Sequence, residues 1–378
     1  MEHLYPGQDP TSRAWAEIYL DRLEYNYHAL RAYLPRPRFL GVVKANAYGH
    51  GAVTVARHLC ELGADYLAVA CLDEALELRL AGITLPILIL GYTDPHFASL
   101  LAEHTLTQTI SSAEMARAFN DALSGDQRLR CHLKLDTGMS RLGLLCTEDT
   151  VDRLADSLVS LRDLQRLDFE GIFTHFSDAD GSAEYSALQL SRFKAAVSAL
   201  AQRGMTFELH HCAASAAVLN FPDDTGFDMV RPGILLYGHH PDESTRHLLE
   251  VRPVMELKTR IVSVKPLPAG SCISYGRTHV LSRDSIIAAV SIGYGDGLPR
   301  LLSERQTMLL HGQRVPQIGR VCMDMCMLDV TDIPAQVGDE VTVFGAELPL
   351  EEKARTLGTI PYELLCDVNP RVPRVYHR

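Results

Sequence analysis

Short apolar runs rich in β-branched side chains alternate with longer segments of helical periodicity through the first two thirds of the chain. Such runs are typical of strands buried on both faces, and the intervening segments space apolar residues as in helices that cover a sheet. Eight strands are predicted: residues 39–43, 65–70, 87–90, 106–110, 131–135, 167–173, 206–211 and 227–230. Their alternation with helices predicts an α/β fold, a (β/α)8 TIM-type barrel.

The periodicity changes after about residue 246. Period-two stretches and short apolar runs follow, separated by turns that contain proline and glycine, with one short helical segment near residue 350. The chain is therefore predicted to contain two domains, a barrel over residues 1–246 and a mainly β C-terminal domain over residues 247–378.

Composition narrows the class of protein. With 378 residues, 47% of them hydrophobic, the chain is long enough for two large cores, and a formal net charge of -11 argues against nucleic-acid and anionic-membrane partners. Residues 1–7 lack a basic segment leading into an apolar one, and no apolar run reaches membrane-spanning length, so a cytoplasmic location is expected. Nine cysteines without a C-x-x-C pair predict reduced thiols and no metal site.

Reactive side chains follow five of the predicted strands, at the carboxyl ends where barrel enzymes carry their active sites. Lys44 follows the first strand, and an amine that is desolvated there by apolar neighbours can form a Schiff base with an aldehyde. The other side chains in equivalent positions are Tyr48, Lys134, Arg141, His175, Ser215 and Arg231.

Each of these residues also has a purely structural interpretation, since Lys44 and Arg231, for example, are consistent with surface charges. Their coincidence at one face of the barrel favours a site, because two guanidinium groups suit two anionic or acceptor groups. Ser215 at a helix start and the turn at Gly233 and Ile234 offer hydroxyl and N–H donors to a phosphate. The set predicts an aldehyde cofactor that carries a phosphate.

Residues 42–51, which read VVKANAYGHG, resemble the pyridoxal-phosphate attachment signature of alanine racemases. The resemblance extends along the chain, at residues 134–143, 173–176, 231–234, 274–276, 293–297, 319–324, 361–363 and 371–374. It implies a fold-type III barrel enzyme that uses pyridoxal 5'-phosphate to interconvert L-alanine and D-alanine, supplying D-alanine for cell-wall peptidoglycan. It also implies a homodimer in which each active site is shared between subunits.

The resemblance implies a role for each matching position. Lys44 is implied to hold the cofactor as a Schiff base and to act as one base, and Tyr275 of the partner subunit to act as the other. His175 is implied to assist this phenol, which is a poor base at neutral pH, and Arg231 to face the pyridine nitrogen. The remaining implied contacts are Tyr48, Ser215, Gly233, Ile234 and Tyr362 to the phosphate, Arg141 and the Met323 backbone to the substrate carboxylate, and Lys134 as a carbamylated lysine that orients Arg141.

Other functions stay open on the sequence. A related barrel decarboxylase would place an acidic group at the pyridine nitrogen, and Arg231 counts against it. A non-catalytic pyridoxal-phosphate carrier consists of a barrel alone, so the C-terminal domain with Tyr275 counts against that function. A racemase of another amino acid, or of a broader set, would differ at the entrance to the active site. Tyr294 and Tyr362 are available to line this entrance. One position departs from the family, since Ala214 stands where asparagine is frequent.

Overall fold

The structure, a computed structural model, describes residues 11, 13–225 and 227–378, which form two compact units. The barrel unit comprises Glu24–Ala47 and Ala52–Val251. The sheet unit comprises the described residues up to Leu23, together with Tyr48–Gly51 and Arg252–Arg378. The domain boundary after residue 246 stays a prediction.

The strands are numbered in chain order. They are β1 Ala14–Tyr19, β2 Arg38–Val42, β3 Tyr66–Val69, β4 Ile87–Ile89, β5 Thr107–Ile110, β6 Leu129–Asp136, β7 Leu144–Leu145, β8 Leu167–Phe173, β9 Leu209–His211, β10 Met229–Val230, β11 Met255–Leu267, β12 Cys272–Ile273, β13 His279–Val280, β14 Ser285–Val290, β15 Thr307–Leu310, β16 Gln313–Ile318, β17 Cys326–Asp329, β18 Glu340–Phe344 and β19 Arg374–His377. The right-handed helices are Leu20–Tyr33, Ala52–Glu61, Leu72–Leu80, Ala98–Glu103, Ala113–Ala122, Val151–Val159, Ala183–Gln202, Ser215–Asn220, Pro222–Thr225, Leu350–Leu357 and Pro361–Cys366. Within the described part of the chain, no helix is long and apolar enough to cross a membrane.

The barrel unit contains the eight predicted strands, which pair in parallel in the order β10-β2-β3-β4-β5-β6-β8-β9, with β7 added beside β6. The two ends of this order meet at a parallel bridge between Ala214 and Arg231. Hydrogen bonds from Asp228 N to His210 O at 3.1 Å and from Arg231 N to Ala213 O at 2.9 Å join the same ends. The strands therefore close into a cylinder, which confirms the predicted parallel barrel.

The barrel strands are held by apolar side chains on both of their faces. Full burial of one such side chain contributes about 1.5–3 kcal/mol to folding. Helix Ala113–Ala122 is capped at its start, since Ser112 Oγ accepts the Met115 N–H at 3.0 Å. The fully buried residues in the strands include Leu40, Leu67, Leu88, Leu133 and Ile172.

The sheet unit is built around β11, a strand of 13 residues. The first part of β11 pairs antiparallel with β18 and the second part with β14, with an irregularity between Ile261 and Ser263. Because β14, β17, β16, β15 and β18 also pair in succession, these strands form a closed ring with β11. The predicted mainly β character is confirmed, whereas the pairing of β1 with β11 and β19, and helix Pro361–Cys366, do not follow from the sequence pattern.

Asp296 is a buried carboxylate in the sheet unit. Its oxygens accept hydrogen bonds from Arg13 Nη1 at 2.6 Å, Arg13 Nη2 at 2.8 Å, Arg371 Nε at 2.8 Å and Gly293 N at 2.9 Å. Burial alone would raise the pKa of this carboxyl group, but the hydrogen bonds from Arg13, Gly293 and Arg371 outweigh burial and hold the pKa below its usual value of 3.8.

Asp296→Asn is expected to lower the free energy of unfolding by about 1–3 kcal/mol near neutral pH, because donors that the carboxylate satisfied lose their acceptor. Since the folded pKa lies below the unfolded pKa, this stabilisation is complete above the unfolded pKa and is lost as the pH falls through the folded pKa. Urea unfolding at a series of pH values measures the difference in free energy of unfolding between wild type and variant. This difference should shrink as the pH falls.

The matched control is Asp324→Asn. Asp324 is exposed and pairs with the same Arg371 at 2.8 Å, and exposed ion pairs contribute only about 0–1 kcal/mol. The assigned role of Asp296 would be contradicted if Asp296→Asn lowered the free energy of unfolding by no more than Asp324→Asn does. A loss that does not change with pH would contradict it as well.

Candidate active site

Lys44 opens a left-handed turn just beyond the end of β2. The turn spans Lys44–Tyr48, and Ala45, Asn46 and Ala47 have φ angles of 51°, 53° and 53°. The glycines of the motif come only after this segment, so they do not explain its conformation. Left-handed backbone costs a residue with a Cβ roughly 1–2 kcal/mol, so successive residues of this kind need support from their surroundings.

Two side chains support the turn. Glu74 accepts the Ala45 N–H with Oε1 at 2.6 Å and the Ala70 N–H with Oε2 at 2.7 Å. Asn46 Oδ1 accepts the Ala52 N–H at 2.8 Å. No pattern in the sequence singles out Glu74, because an acidic residue in the first turn of a helix is common for a different reason, the helix dipole.

Arg231 is the side chain that connects a group of buried residues in the barrel by hydrogen bonds. It follows β10 directly and is buried. The two hydrogens of its Nη2 are shared among three acceptors, Thr174 O at 2.9 Å, Cys212 O at 3.0 Å and His175 Nδ1 at 3.2 Å. Nη1 donates to His211 Nδ1 at 2.7 Å. The Nε–H has no acceptor among the described residues, so the guanidinium keeps a donor for a group that the chain does not supply.

These contacts assign the tautomers of the histidines around Arg231. A guanidinium only donates, so Nδ1 of His175 and Nδ1 of His211 accept, and each neutral ring carries its hydrogen on Nε2. His211 Nε2 then donates to His132 Nδ1 at 2.9 Å, and the hydrogen of His132 is left on a buried Nε2 that has no partner in the described part of the chain. His132 fits because position 171 is glycine, where a Cβ would lie 2.7 Å from the imidazole.

Burial and the Arg231 charge keep these histidines neutral. Burial first, and Arg231 second, lower the pKa of His132 to about 3 and hold the pKa values of His211 and His175 well below 6.5. Burial also lowers the pKa of Arg231 to about 10, so the guanidinium stays charged at neutral pH. One fixed positive charge is therefore surrounded by neutral acceptors.

Lys134 lies near the end of β6 in the same cluster. Its amine is buried, with Nζ 4.6 Å from the centre of the Phe173 ring. Burial, followed by the charges of Arg231 and Arg141, lowers the pKa of this amine to about 7. A large fraction of the amine is consequently neutral and nucleophilic near neutral pH.

Asp136 organises the segment that leads from β6 to Arg141. Its Oδ1 accepts three successive backbone N–H groups and so holds a tight turn after β6. Arg141 is exposed and lies within electrostatic reach of Lys134 and His175. The three donors are Gly138 at 3.0 Å, Met139 at 2.9 Å and Ser140 at 3.0 Å.

Ser215 and the turn at Gly233 are in contact. Ser215 Oγ accepts the N–H of Gly233 at 3.0 Å and that of Leu235 at 3.4 Å, so its hydroxyl hydrogen is left to donate. Ile234 opens a 3₁₀ turn, Ile234–Tyr237, so its N–H has no acceptor within that turn. Two donors are thus left for an anionic group, whereas no group of three or more His, Cys, Asp or Glu side chains able to hold a metal ion occurs in the described ranges.

The remaining predicted residues belong to the sheet unit. Tyr48 is buried, and its ring centre lies 6.1 Å from that of Tyr362. Tyr275 opens a 3₁₀ turn between β12 and β13 and is 70% exposed, and Met323 is 53% exposed.

Tyr275 and Met323 are brought together through their neighbours in the chain. Ser274 Oγ lies 3.4 Å from Cys322 Sγ and donates to Arg320 O at 2.7 Å. The segments that carry these two exposed side chains are therefore adjacent in the sheet unit.

Two family models match the chain and together cover most of it. "Alanine racemase, N-terminal domain" matches residues 18–241, and "Alanine racemase, C-terminal domain" matches residues 254–376. The alanine racemase of Desulfovibrio desulfuricans is 45% identical over 96% of this chain and 97% of its own length. The alanine racemase of Desulforamulus reducens is 46% identical, over 96% of this chain and 98% of its own.

Solved structures have the same fold. The alanine racemase of Clostridium difficile 630 has a TM-score of 0.92 and 41% identity, covering 97% of this chain and 96% of that chain. A Bacillus anthracis alanine racemase with bound L-Ala-P has a TM-score of 0.91 and 34% identity, covering 97% of this chain and 95% of that chain. By family models, full-length relatives and fold, the chain belongs to the alanine racemase family.

Proposed function

We propose how this member of the alanine racemase family interconverts L-alanine and D-alanine: Lys44 and Tyr275 exchange the α-proton from opposite faces of the bound substrate. The observation that carries the proposal is the buried, charged Arg231 with its remaining Nε–H donor. A fixed positive charge beside a pyridine nitrogen disfavours protonation of the ring, whereas the carboxylate of a decarboxylase would favour it. Limited delocalisation suits racemisation, because it suppresses side reactions.

Alanine racemases use pyridoxal 5'-phosphate, which when bound supplies an electron sink that acidifies the α-C–H bond of the attached amino acid. The described residues fit this group, since Arg231 keeps a donor for the pyridine nitrogen and Ser215 and Ile234 keep donors for the phosphate. The proposed cofactor contacts are Lys44, Tyr48, Ser215, Arg231, Gly233, Ile234 and Tyr362.

His175 is proposed to activate the phenol of Tyr275. Because His175 Nδ1 accepts from Arg231, its Nε2 carries the hydrogen and donates. A donor at a phenol oxygen stabilises the phenolate and makes the tyrosine a better base. The low pKa of His175 keeps the ring neutral, so the ring orients the phenol without adding a charge.

We propose that the active site is completed in a homodimer, in which Tyr275 and Met323 serve the barrel of the partner subunit. The exposure of both side chains, on adjacent segments of the sheet unit, supports this proposal, as does the need for a second base opposite Lys44. Arg141 and the Met323 backbone are the proposed contacts of the substrate carboxylate.

We further propose that the enzyme acts in the cytoplasm and supplies D-alanine for peptidoglycan. All nine cysteines are free thiols, which suits a reducing compartment. Tyr294, which is 42% exposed, and Tyr362 are the proposed lining of an entrance that favours small substrates.

Tyr275→Phe keeps the ring but removes the proton-transfer group. Exchange of the α-proton of L-alanine with D2O should fall by roughly 10²–10⁴-fold, while absorbance of the bound cofactor is unchanged. The control is Tyr92→Phe, at a tyrosine of the barrel unit that is 61% exposed and should retain the wild-type rate. An unchanged exchange rate for Tyr275→Phe would contradict the two-base assignment.

Mixing two inactive variants tests the shared site. Lys44→Ala and Tyr275→Phe subunits should each be inactive, but in a mixed dimer one barrel regains both groups. Random exchange then makes about a quarter of the sites active, because half of the dimers are mixed and each has one complete site. Activity that does not appear after mixing, although mass measurement shows mixed dimers, would contradict the shared site.

We propose that Lys134 is carbamylated. Carbamate formation needs a neutral amine, whose lone pair attacks the carbon of CO2, forms an N–C bond and releases one proton as the carboxylate appears. The pKa of about 7 at Lys134 meets this requirement. The product places an anion between Arg231 and Arg141, which removes a repulsion and gives Arg141 an acceptor that orients it.

Equilibration of the enzyme with ¹³C-labelled bicarbonate should give a carbamate carbon signal in the NMR spectrum that Lys134→Gln abolishes. The matched control is Lys353→Arg, since burial lowers the pKa of Lys353 to about 8 but its amine donates to Gln306 Oε1 and Thr307 O, both at 3.0 Å. A native mass measurement that finds a plain amine at Lys134 would refute carbamylation.

A further inference from the structure

We propose that Glu74 is a positioning residue that orients Lys44, an inference that rests on the proposed function of Lys44. Its carboxylate joins two backbone N–H groups beyond the carboxyl ends of β2 and β3, which pair in parallel. Oε1 accepts the Ala45 N–H at 2.6 Å and Oε2 accepts the Ala70 N–H at 2.7 Å. One side chain thereby ties the residue that follows Lys44 to the adjacent strand.

The two oxygens of Glu74 have different roles. Ala70 precedes Cys71, the residue that starts helix Leu72–Leu80, so Oε2 reaches back to the start of its own helix in the manner of a capping box. Oε1 instead crosses to Ala45, which belongs to a different strand-and-turn segment. The stability of the helix does not require this second hydrogen bond, so its role lies at the turn.

The bond to Ala45 acts directly on Lys44. The N–H of Ala45 lies in the peptide plane that begins at the Lys44 carbonyl, so the direction of that N–H fixes the ψ angle of Lys44. The next residues are left-handed and strained, and they relax when the acceptor is lost. A displacement of a reacting group by about 1 Å costs as much as about 10²-fold in rate.

Glu74→Gln breaks the link between the turn and the adjacent strand, because an amide keeps one acceptor oxygen and its NH2 group cannot accept the second N–H. Amide hydrogen exchange of the holoenzyme, read by mass spectrometry over residues 43–52, should become faster in this variant. The matched control is Glu77→Gln, which removes the same charge from an exposed position of the same helix and should exchange as wild type does. Wild-type exchange in Glu74→Gln would refute the proposal.

A kinetic signature distinguishes positioning of Lys44 from general loss of folded protein. In Glu74→Gln, kcat should fall by roughly ten- to a hundredfold. The substrate isotope effect should rise with α-deuterated D-alanine, whose proton Lys44 takes, and fall with α-deuterated L-alanine, whose proton Tyr275 takes. Isotope effects that both equal the wild-type values would overturn the proposal, since a merely structural role changes only the amount of active enzyme.

The proposed function of Lys44 is tested separately. Lys44→Ala should abolish covalent retention of the cofactor after borohydride reduction. Retention in Lys44→Ala would overturn the function of Lys44 itself, whatever the exchange data for Glu74→Gln show, so the two failures are distinguishable.

Discussion

A guanidinium that keeps its charge is buried inside the barrel, and burial together with this charge sets the protonation of its neighbours. Burial first, and the charge of Arg231 second, penalise a further positive charge nearby, so His175, His211 and His132 are neutral. The same electrostatic cost contributes to the low pKa of Lys134. Which groups donate and which accept is therefore decided before a substrate arrives, as preorganised proton transfer requires.

Arg231 also connects this electrostatic arrangement to the closure of the cylinder. Its backbone bridges to Ala214, and its side chain binds the carbonyl groups of Thr174 and Cys212, which follow β8 and β9. The ends of three strands are thus joined at one residue. Ala214 contributes to this closure through its backbone, so the departure from the family's frequent asparagine leaves the closure intact.

Local sequence predicts the barrel because each apolar run and each helical segment carries its own periodicity. Parallel strands bring Lys44, Lys134 and Arg231 to one face, so their clustering follows from position alone. The left-handed turn could not be predicted in this way, because its residues favour right-handed backbone and an acceptor of its N–H groups, Glu74, lies 29 residues away from Ala45. The pairing of β1 was equally hidden, since its partners lie near the far end of the chain.

The hydrogen bond between His132 and His211 depends on the absence of a side chain at position 171. Gly171 in β8 leaves the space that the ring of His132 fills, and a methyl group there would come within 2.7 Å of it. A bulkier residue would push His132 aside and free His211 to rotate and turn an N–H toward the guanidinium. The size of the residue at position 171, which has no ionisable group, therefore determines which nitrogens of His132 and His211 carry hydrogens.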